Sequence, residues 1–386
     1  MNTIQPKPKD ELCQAIVTDA STVTALGGSL EELWRKLMQK ESAIRPIRRF
    51  PVDQEHYRCN VAAIIDDLRP RPGRSLLNTL LDRLVAQMGP VPADATLITA
   101  TLKSGIDNLE SECRGRPTGL QDILLSILAD HLGAALGLKG NGICISASCA
   151  SSTIAVARAA GLIASGQADA VLVCCADIVS EYAFSGFSAL KALAPDPCQP
   201  FDRERQGLSL GEGAAALLLM SPARAQQEGR DRLGTICGWG ITNDASHITA
   251  PVRGGAGLTL AINKALAAAH RDANEIAAVC AHGTGTVYND RMELDAFQQV
   301  FNQRRLPIFS VKGAIGHTLG AAGGIETALG LKSLAANIAP PTVGFVEPET
   351  DAQGQVSADQ QTIAGDFLLT TNSGFGGINA ALVLGR

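Results

Sequence analysis

Apolar residues along the chain follow two patterns: short continuous runs, and longer segments in which they recur at helical spacing. In the first half, the short runs predict buried strands and the longer segments predict amphipathic helices. The predicted strands are ATLITATL, GICISASC, ADAVLVCCAD and GEGAAALLLMS. The predicted helices are SLLNTLLDRLVAQM, QDILLSILADHLGAALGL and residues 150–165, the second of which is expected to end at Gly140. Strands that alternate with helices in this way predict an α/β fold.

The second half of the chain repeats this alternation. Strands are predicted at DRLGTICGWGI, IAAVCAHGTG and LPIFSVKGAIGH, with helices at AGLTLAINKALAAAHRD, DRMELDAFQQVF and AAGGIETALGLKSLAAN. The closing segment, FLLTTNSGFGGINAALVLG, predicts two strands joined by a glycine turn. A polar connector, ARAQQEGRDR, separates the two similar parts. We therefore predict a duplicated α/β core with one half at residues 1–225 and the other at residues 226–386.

Composition narrows the class of protein. The 386 residues exceed the usual size of one core, and 46% of them are apolar against 18% charged, so a large buried core is expected. The net charge of −5, without a lysine-rich tract, argues against nonspecific nucleic-acid binding. The first residues lack the apolar core of a signal peptide, and no apolar run is long enough to span a membrane. With ten cysteines expected to be free thiols, these features predict a cytoplasmic enzyme.

The stretch ISASCASSTIAVARAAGLIASG places Cys149 between a predicted strand and a predicted helix of small residues. At a helix N-terminus, the helix dipole and unpaired backbone N–H groups favour a thiolate. The same donors can polarise a thioester carbonyl held against the sulfur. Taken alone, the motif also fits a small buried cysteine with no chemical role.

Two histidines favour the chemical interpretation. His282, in AHGTGT, directly follows a predicted buried strand, and His317, in SVKGAIGHTLGAAGGIE, precedes a glycine- and alanine-rich helix. Residues at strand-to-helix turns face the sheet edge where open α/β folds bind their ligands. One histidine can act as an acid or base, and both can donate hydrogen bonds to a developing negative charge.

Lys312 and Glu326 flank His317, and we expect Lys312 to be buried and paired with Glu326 beside the histidines. A metal site is the rival use of cysteine and histidine. No C-x-x-C or H-x-x-x-H spacing occurs, so no metal is predicted. The glycine-rich GFGGINA lacks G-x-G-x-x-G and opens no helix, so it is not a phosphate loop. It is expected to bring a main-chain N–H to the site, with Phe375 as a gate.

Taken together, these motifs resemble the β-ketoacyl-acyl carrier protein synthases of the I/II type, in the thiolase-like superfamily. The resemblance runs from about residue 13 to the end and rests on five stretches in a fixed order. They are ISASCASS, PFDRERQGLSLGEGAAALLL, AHGTGTVYND, SVKGAIGHTLGAAGGIE and NSGFGGINAALVL. It implies an α/β protein with the thiolase-like five-layered αβαβα fold, built from two similar halves, and a dimer of two like chains or of this chain with another synthase-like chain.

The resemblance also implies roles for individual residues. Cys149 matches the acylated nucleophile, His282 and His317 the decarboxylation pair, and Lys312 and Glu326 their supporting ion pair. The backbone N–H groups of Cys149 and Phe375 match the oxyanion hole. The remaining matches are acidic residues after the first histidine motif and residues that contact substrate: Asp290, Glu293, Thr249, Thr284, Thr286, Phe187, Ile106 and the gating Phe375.

The implied partner is an acyl carrier protein, whose phosphopantetheine carries the substrates, so no separate cofactor is expected. A basic surface should receive this acidic protein. The matching residues are Arg69, Arg71, Arg74 and Lys191, with Arg45, Arg48 and Arg49 as further candidates. For any single arginine, an ordinary solvated loop is an equal alternative.

Several departures from the family pattern favour a specialised synthase of a polyene or polyketide pathway. Ser373 stands where an aromatic residue is common, and the segment TLKSGIDNLES places Lys103 and Asp107 near the expected acyl pocket. The alternative is a noncatalytic partner subunit of the chain-length-factor type, which would usually lack the cysteine. A thiolase is disfavoured because no second cysteine lies near the C-terminus, the last being Cys280.

Overall fold

The computed structural model describes residues 14–53, 55–69, 73–116, 118–302, 304–349, 352 and 354–386. The strands of this part, in chain order, are β1 (Ala15–Thr24), β2 (Ile44–Pro46), β3 (Val61–Ala63), β4 (Thr96–Ala100), β5 (Ile143–Ile145), β6 (Ala170–Asp177), β7 (Leu210–Gly211), β8 (Gly213–Met220), β9 (Gly234–Asn243), β10 (Ile276–Cys280), β11 (Ile308–Phe309), β12 (Ile338–Ala339), β13 (Gln361–Thr362), β14 (Phe367–Gly374) and β15 (Ile378–Gly385). The helices are α1 (Leu30–Met38), α2 (Leu76–Val85), α3 (Ile106–Cys113), α4 (Leu125–Leu136), α5 (Ser151–Ala164), α6 (Glu181–Ala189), α7 (Pro222–Gln227), α8 (Ala256–Ala269), α9 (Val287–Phe301), α10 (Lys312–Ile315) and α11 (Ala322–Ala336).

The main sheet divides into two five-stranded halves. Its strand order is β11-β10-β14-β15-β9-β1-β8-β6-β4-β5. The halves join where β1 pairs with β9, and that pairing extends only over Ala15–Val17. Each half mixes parallel and antiparallel neighbours: β4 is parallel to β5 and β6, while β8 runs antiparallel to β6. The two halves are thus similar in size and arrangement.

Helices α5 and α11 form the layer between the two half-sheets. They contact each other and strands of both halves, and most of their residues are buried. Small side chains permit this close approach: a Cβ added at Gly323 would lie 2.8 Å from the backbone nitrogen of Thr153. Helices α2 and α4 cover the outer face of one half-sheet, and α8 covers the other. The order of layers is αβαβα, which confirms the predicted fold class.

The end of α4 differs from the prediction. The helix ends at Leu136, and Gly137 caps it in the left-handed conformation with φ 65°. Gly140, the predicted end, lies three residues further along the chain. Gly133 continues the helix and Gly137 ends it, because Gly137 adopts the positive φ of the cap without a steric penalty.

The junction between the predicted halves lies in a helix. Helix α7 crosses residue 225, and Ala225 packs into the core of the first half-sheet. The division into residues 1–225 and 226–386 stays a prediction. In the described part of the chain, the helices are too short or too polar to cross a membrane.

Candidate active site

Cys149 lies in a tight turn between β5 and α5. Ser148, directly before Cys149, has a positive φ of 50°. Helix α5 begins at Ser151, two residues after Cys149. Positive φ is uncommon for a residue with a Cβ and occurs often at functional turns. The side chain of Ser148 holds the turn by donating to the carbonyl oxygen of Phe375 at 2.8 Å. As predicted, the cysteine stands at a helix start, and it is 5% exposed.

His317 lies directly against the cysteine. Its Nε2 is 3.0 Å from the Cys149 Sγ, although the two residues are 168 positions apart in the chain. The backbone N–H of His317 donates to the carbonyl oxygen of Ser209 at 2.7 Å. Its Nδ1 has no hydrogen-bond partner among the described residues. The sulfur is thus the polar contact that the ring makes in this part of the structure.

His282 lies just after the end of β10, and its hydrogen bond is made through Nδ1, whereas His317 uses Nε2. Asn372 Nδ2 lies 3.0 Å from His282 Nδ1, and because an amide NH₂ can only donate, Nδ1 is the acceptor. The hydrogen-bond network therefore assigns the proton of the neutral ring to Nε2. The two imidazole rings meet edge to face, with centroids 5.1 Å apart. Both Nε2 atoms are accordingly brought close to the cysteine.

Lys312 and Glu326 form the predicted ion pair behind the histidines. Both side chains are 1% exposed, and the Lys312 ammonium also donates to the carbonyl oxygen of His282 at 2.5 Å. The second oxygen of Glu326 accepts from Asn372 Nδ2 at 2.7 Å. Asn372 thus links the ion pair to His282. Asn372 lies in the NSGFGGINAALVL stretch, whose pattern does not reveal this link.

Two buried carboxylates hold the backbone around His282. Glu293 accepts from the N–H groups of His282 at 2.8 Å and Gly283 at 2.6 Å. Asp290 accepts from the N–H groups of Thr284 at 3.0 Å and Phe201 at 2.8 Å. Burial raises the pKa of Glu293 to about 7, and the neighbouring Asp290 adds to the shift. Asp290 and Glu293 therefore fix the position of the histidine loop.

Burial also sets the protonation states of the reacting groups. It raises the pKa of Cys149 to about 11, although the charges of Lys312 and Lys103 oppose the shift. Burial and the Lys312 charge hold the pKa values of His282 and His317 well below their usual range. At neutral pH the site therefore contains a thiol and two neutral imidazoles. The expected stabilisation of a thiolate by the helix start is outweighed by burial, so the proton needs an acceptor, and His317 Nε2 is in position.

The site also brings together three potential metal ligands. The ligand atoms of Cys149, His282 and His317 all lie within 4.8 Å of one another, which the spacing argument did not anticipate. A metal-bound histidine normally donates its other ring N–H to an acceptor. His282 Nδ1 instead accepts from Asn372, and His317 Nδ1 has no acceptor among the described residues. The surroundings suit proton transfer better than metal binding, and the absence of a metal stays a prediction.

Two cavities meet at Cys149. The large cavity, of about 1100 Å³, is lined by Ile106, Lys103 and the aromatic ring of Tyr182. The histidine cavity, of about 330 Å³, is lined by His282 and His317. Three predicted substrate contacts, Thr249, Thr284 and Thr286, also line it. Phe187 and Phe375 line both cavities, and their rings stack with centroids 5.6 Å apart. The stacked pair therefore stands between the two spaces.

Asp107 and Ser373, the two polar departures from the family pattern, make hydrogen bonds to neighbouring groups. Asp107 does not line the large cavity but accepts from the N–H of Leu76 at 2.7 Å, at the start of α2. Ser373 donates to Asn379 Oδ1 at 2.7 Å. Both polar residues are thus used in local hydrogen bonds.

The predicted docking residues occupy separate places. Lys191 is exposed and lines the histidine cavity, whereas Arg69 is exposed in a different cleft that it lines together with Arg45, Arg48 and Arg49. Arg74 pairs with Asp82 at 2.6 Å, and Arg71 lies outside the described residues. Among the further candidates, Arg45 and Arg48 are exposed. Arg49 is bound to the fully buried Glu212 through both terminal nitrogens, so its guanidinium already has a partner within the chain.

Comparisons with known proteins agree with this arrangement. "Beta-ketoacyl synthase, N-terminal domain" matches residues 98–225, and "Beta-ketoacyl synthase, C-terminal domain" matches residues 233–346. The 3-oxoacyl-[acyl-carrier-protein] synthase 2 of Vibrio cholerae is 27% identical over 97% of this chain and 99% of its own length. The synthase of the same name from Staphylococcus aureus is 28% identical over 96% and 97%.

Solved structures show the same likeness. The ishigamide ketosynthase/chain length factor superposes with a TM-score of 0.88 at 27% identity, covering 97% of this chain and 99% of that one. A beta-ketoacyl synthase from Burkholderia phymatum gives 0.85 at 26% identity, covering 97% and 99%. The fold and the cysteine–histidine site thus define a condensing acyltransferase. The chain belongs to the beta-ketoacyl synthase family, whose two domain profiles together span more than half of it.

Proposed function

We propose that this protein is a β-ketoacyl-acyl carrier protein synthase that forms a carbon–carbon bond by decarboxylative condensation. The observation that carries the proposal is the contact between Cys149 Sγ and His317 Nε2 at 3.0 Å, with His282 held beside them. A nucleophile within hydrogen-bond reach of a base is the arrangement that covalent acyl transfer requires. The reaction then proceeds in two stages that share one cysteine.

In the first stage, an acyl group moves from its carrier thiol to Cys149. His317 Nε2 takes the thiol proton, the sulfur attacks the thioester carbonyl, and the departing carrier thiolate recovers the proton. The N–H groups of Cys149 and Phe375 hold the tetrahedral oxyanion. Supporting this, a Cβ added at Gly374 would lie only 3.0 Å from the Cys149 nitrogen, so the Phe375 loop closes directly on the cysteine turn.

In the second stage, a malonyl thioester enters the histidine cavity. Its carboxylate leaves as CO₂, and the electron pair of the broken C–C bond forms an enolate. His282 donates from Nε2–H to this enolate oxygen. Once the acylated sulfur no longer offers a proton, His317 supplies the second donor as the neutral tautomer with its proton on Nε2. The enolate carbon then attacks the acyl-Cys149 carbonyl. The new C–C bond forms, the C–S bond breaks, and the cysteine thiolate takes up a proton from water, which restores the thiol.

The partners follow from the same chemistry. The substrates would be carried on an acyl carrier protein, which the names of the relatives mention, with the thioester on its phosphopantetheine. Its arm would pass Lys191 and contact Thr249, Thr284 and Thr286, which line the histidine cavity. No separate cofactor is needed for any step. Lys191 is the predicted docking residue that lines this cavity, and Arg69, Arg71 and Arg74 stay predicted docking residues.

We further propose that the chain works as a dimer. Strand β5 lies at the edge of the main sheet, and Ile143 on it is 44% exposed. Leu120 and Leu124 add exposed apolar surface nearby in the sequence. An exposed apolar edge strand is a site for pairing with another chain. A solved relative, the ketosynthase ApeO of Xenorhabdus doucetiae in complex with its chain length factor, is a pair of unlike chains and matches at 25% identity with a TM-score of 0.81.

A specialised polyene or polyketide pathway remains the favoured setting, supported by the likeness to the ishigamide ketosynthase/chain length factor. The noncatalytic partner subunit is not favoured. Such a chain has no need for a cysteine in contact with a histidine, nor for a buried Lys312–Glu326 pair behind it. All of these groups are present and assembled.

The proposal is tested by intact-protein mass spectrometry after mixing the protein with a panel of acyl carrier proteins. We expect a mass gain equal to one acyl group, absent in Cys149→Ala. Cys237→Ala, which removes a half-buried cysteine on β9, is the matched control and should acylate normally. Acylation that persists in Cys149→Ala would refute the nucleophile assignment. His282→Ala should still acylate but release little CO₂ from malonyl carrier protein, which separates the two stages.

A further inference from the structure

Among the described residues, one cation in the large cavity, Lys103, makes no ion pair or hydrogen bond through its ammonium. Lys103 Nζ lies 5.6 Å from the ring centroid of Phe187 and 5.9 Å from that of Tyr182. Among the described residues, no carboxylate lies within ion-pair distance of this ammonium and no acceptor takes its hydrogen bonds. Aromatic faces attract the cation but satisfy none of its three N–H donors.

The other charged groups around this cavity are satisfied. Arg114 pairs with Glu181, and Glu110 accepts from the N–H of Tyr182 at 2.7 Å. These side chains line the same cavity as Lys103 and have their partners at its wall. Lys103 therefore differs from them in offering unused donors to whatever occupies the cavity.

The backbone that carries Lys103 is held in place. Asp177 accepts from the Thr101 hydroxyl at 2.9 Å and from the Leu102 N–H at 2.9 Å, so its oxygens are occupied. On the other side, the Ser104 hydroxyl donates to the carbonyl oxygen of Asp122 at 2.7 Å. With the turn fixed at both ends, the side chain starts from a defined position beside Cys149.

We propose that Lys103 selects acyl chains that carry a hydrogen-bond-accepting oxygen, as a hydroxyl, ketone or carboxylate, for loading onto Cys149. A plain hydrocarbon chain in this cavity would displace the water that solvates the ammonium and leave its donors unsatisfied. An oxygen on the chain would replace that water. Leaving a buried donor unpaired corresponds to about ten- to a hundredfold in rate. Lys103 is thus a specificity-determining residue.

The inference rests on the proposed function, because it requires acyl transfer to Cys149. Lys103 could also act through its charge alone, by favouring the Cys149 thiolate. That effect would change the reaction with every acyl donor equally. The ratio of two acylation rates, measured with chains of equal length, isolates contact with the chain from activation of the sulfur.

The experiment compares Cys149 acylation by octanoyl pantetheine, by chain-hydroxylated octanoyl pantetheines and by the octanedioyl half-thioester, followed by intact mass. These small donors need no carrier-protein docking. We expect the wild-type protein to prefer at least one oxygenated chain, and Lys103→Met to lower that preference by about ten- to a hundredfold. Preference for hydroxyl over carboxylate, or the reverse, identifies which oxygen the site takes.

Two further variants complete the test. Lys103→Arg should keep the preference, and Lys264→Met, which removes an exposed lysine from α8, should leave it unchanged. If Lys103→Met fails to fold, the wild-type ratio still decides: equal or faster loading of octanoyl overturns the inference. An unchanged ratio in folded Lys103→Met overturns it as well. Loading that occurs without this preference leaves the proposed function intact, whereas no loading from any donor removes both.

Discussion

The two cavities that meet at Cys149 differ in how their charged groups are satisfied. Behind the histidine cavity, Lys312 is paired with Glu326, and Asn372 connects that pair to His282. In the large cavity, the Lys103 ammonium lies beside two aromatic rings and makes no ion pair or hydrogen bond among the described residues. The paired groups behind the histidine cavity hold His282 in one geometry, which suits a condensation step that is the same for every acyl chain. An unpaired group leaves room for the substrate to complete the site, which suits selection.

The largest effect is expected from breaking the paired side. Lys312→Met leaves Glu326 buried without its cation, which should destabilise the protein by about 3–5 kcal/mol in chemical denaturation. Lys332→Met, which breaks the surface pair with Glu31, is the matched control and should cost at most about 1 kcal/mol. Equal losses in the two variants would show that the buried pair is not special. Adding Glu326→Gln to Lys312→Met should recover part of the stability.

The next effect concerns the link between the ion pair and the histidine. Asn372→Leu removes the donors to His282 Nδ1 and to Glu326, so the imidazole loses the contact that fixes its proton on Nε2. We expect malonyl decarboxylation to slow by an amount equivalent to about 1–3 kcal/mol, while Cys149 acylation is less affected. Thermal melting checks that the variant folds. Equal loss of both reactions would contradict a positioning role for Asn372.

The pH dependence of Cys149 alkylation tests whether the sulfur is a thiol at rest and how the Lys103 charge acts on it. Because the pKa of Cys149 is raised to about 11, its thiolate fraction should increase about tenfold for each pH unit between pH 7 and 9. Alkylation by iodoacetamide, measured at that residue, should follow this rise. Lys103→Met removes a charge that lowers this pKa, so alkylation at a given pH should slow. A plateau near pH 7 would instead indicate a thiolate already formed at rest.

The smallest effect is expected at the mouth of the histidine cavity. Lys191 is exposed there, so reversing its charge should weaken the encounter with an acidic carrier protein without altering the chemistry. Lys191→Glu should raise KM for malonyl carrier protein by a few-fold at low salt and leave kcat unchanged. The difference should shrink as salt is added. A change in kcat of similar size would place Lys191 in the reaction itself.

The sequence by itself determined the main elements and the reacting residues. Apolar runs predicted the strands β4, β6, β8 and β10, because a strand buried on both faces needs a continuous apolar run. Cys149, His282 and His317 were recognisable because each follows or precedes an element of clear pattern. The order of these motifs also carried the family resemblance. Such features are local, so neighbouring residues in the chain are enough to reveal them.

Only the tertiary structure decided which groups complete the site. Asn372 contacts His282 across 90 residues of chain, and Arg49 contacts Glu212 across 163. Nothing near Arg49 in the chain indicates that its guanidinium is paired, and nothing near Asn372 indicates its contact with the histidine. The unpaired state of Lys103 likewise depends on what surrounds it in space. Hydrogen bonding and burial are set by the atoms within a few ångströms, and the sequence does not state which distant residues those atoms belong to.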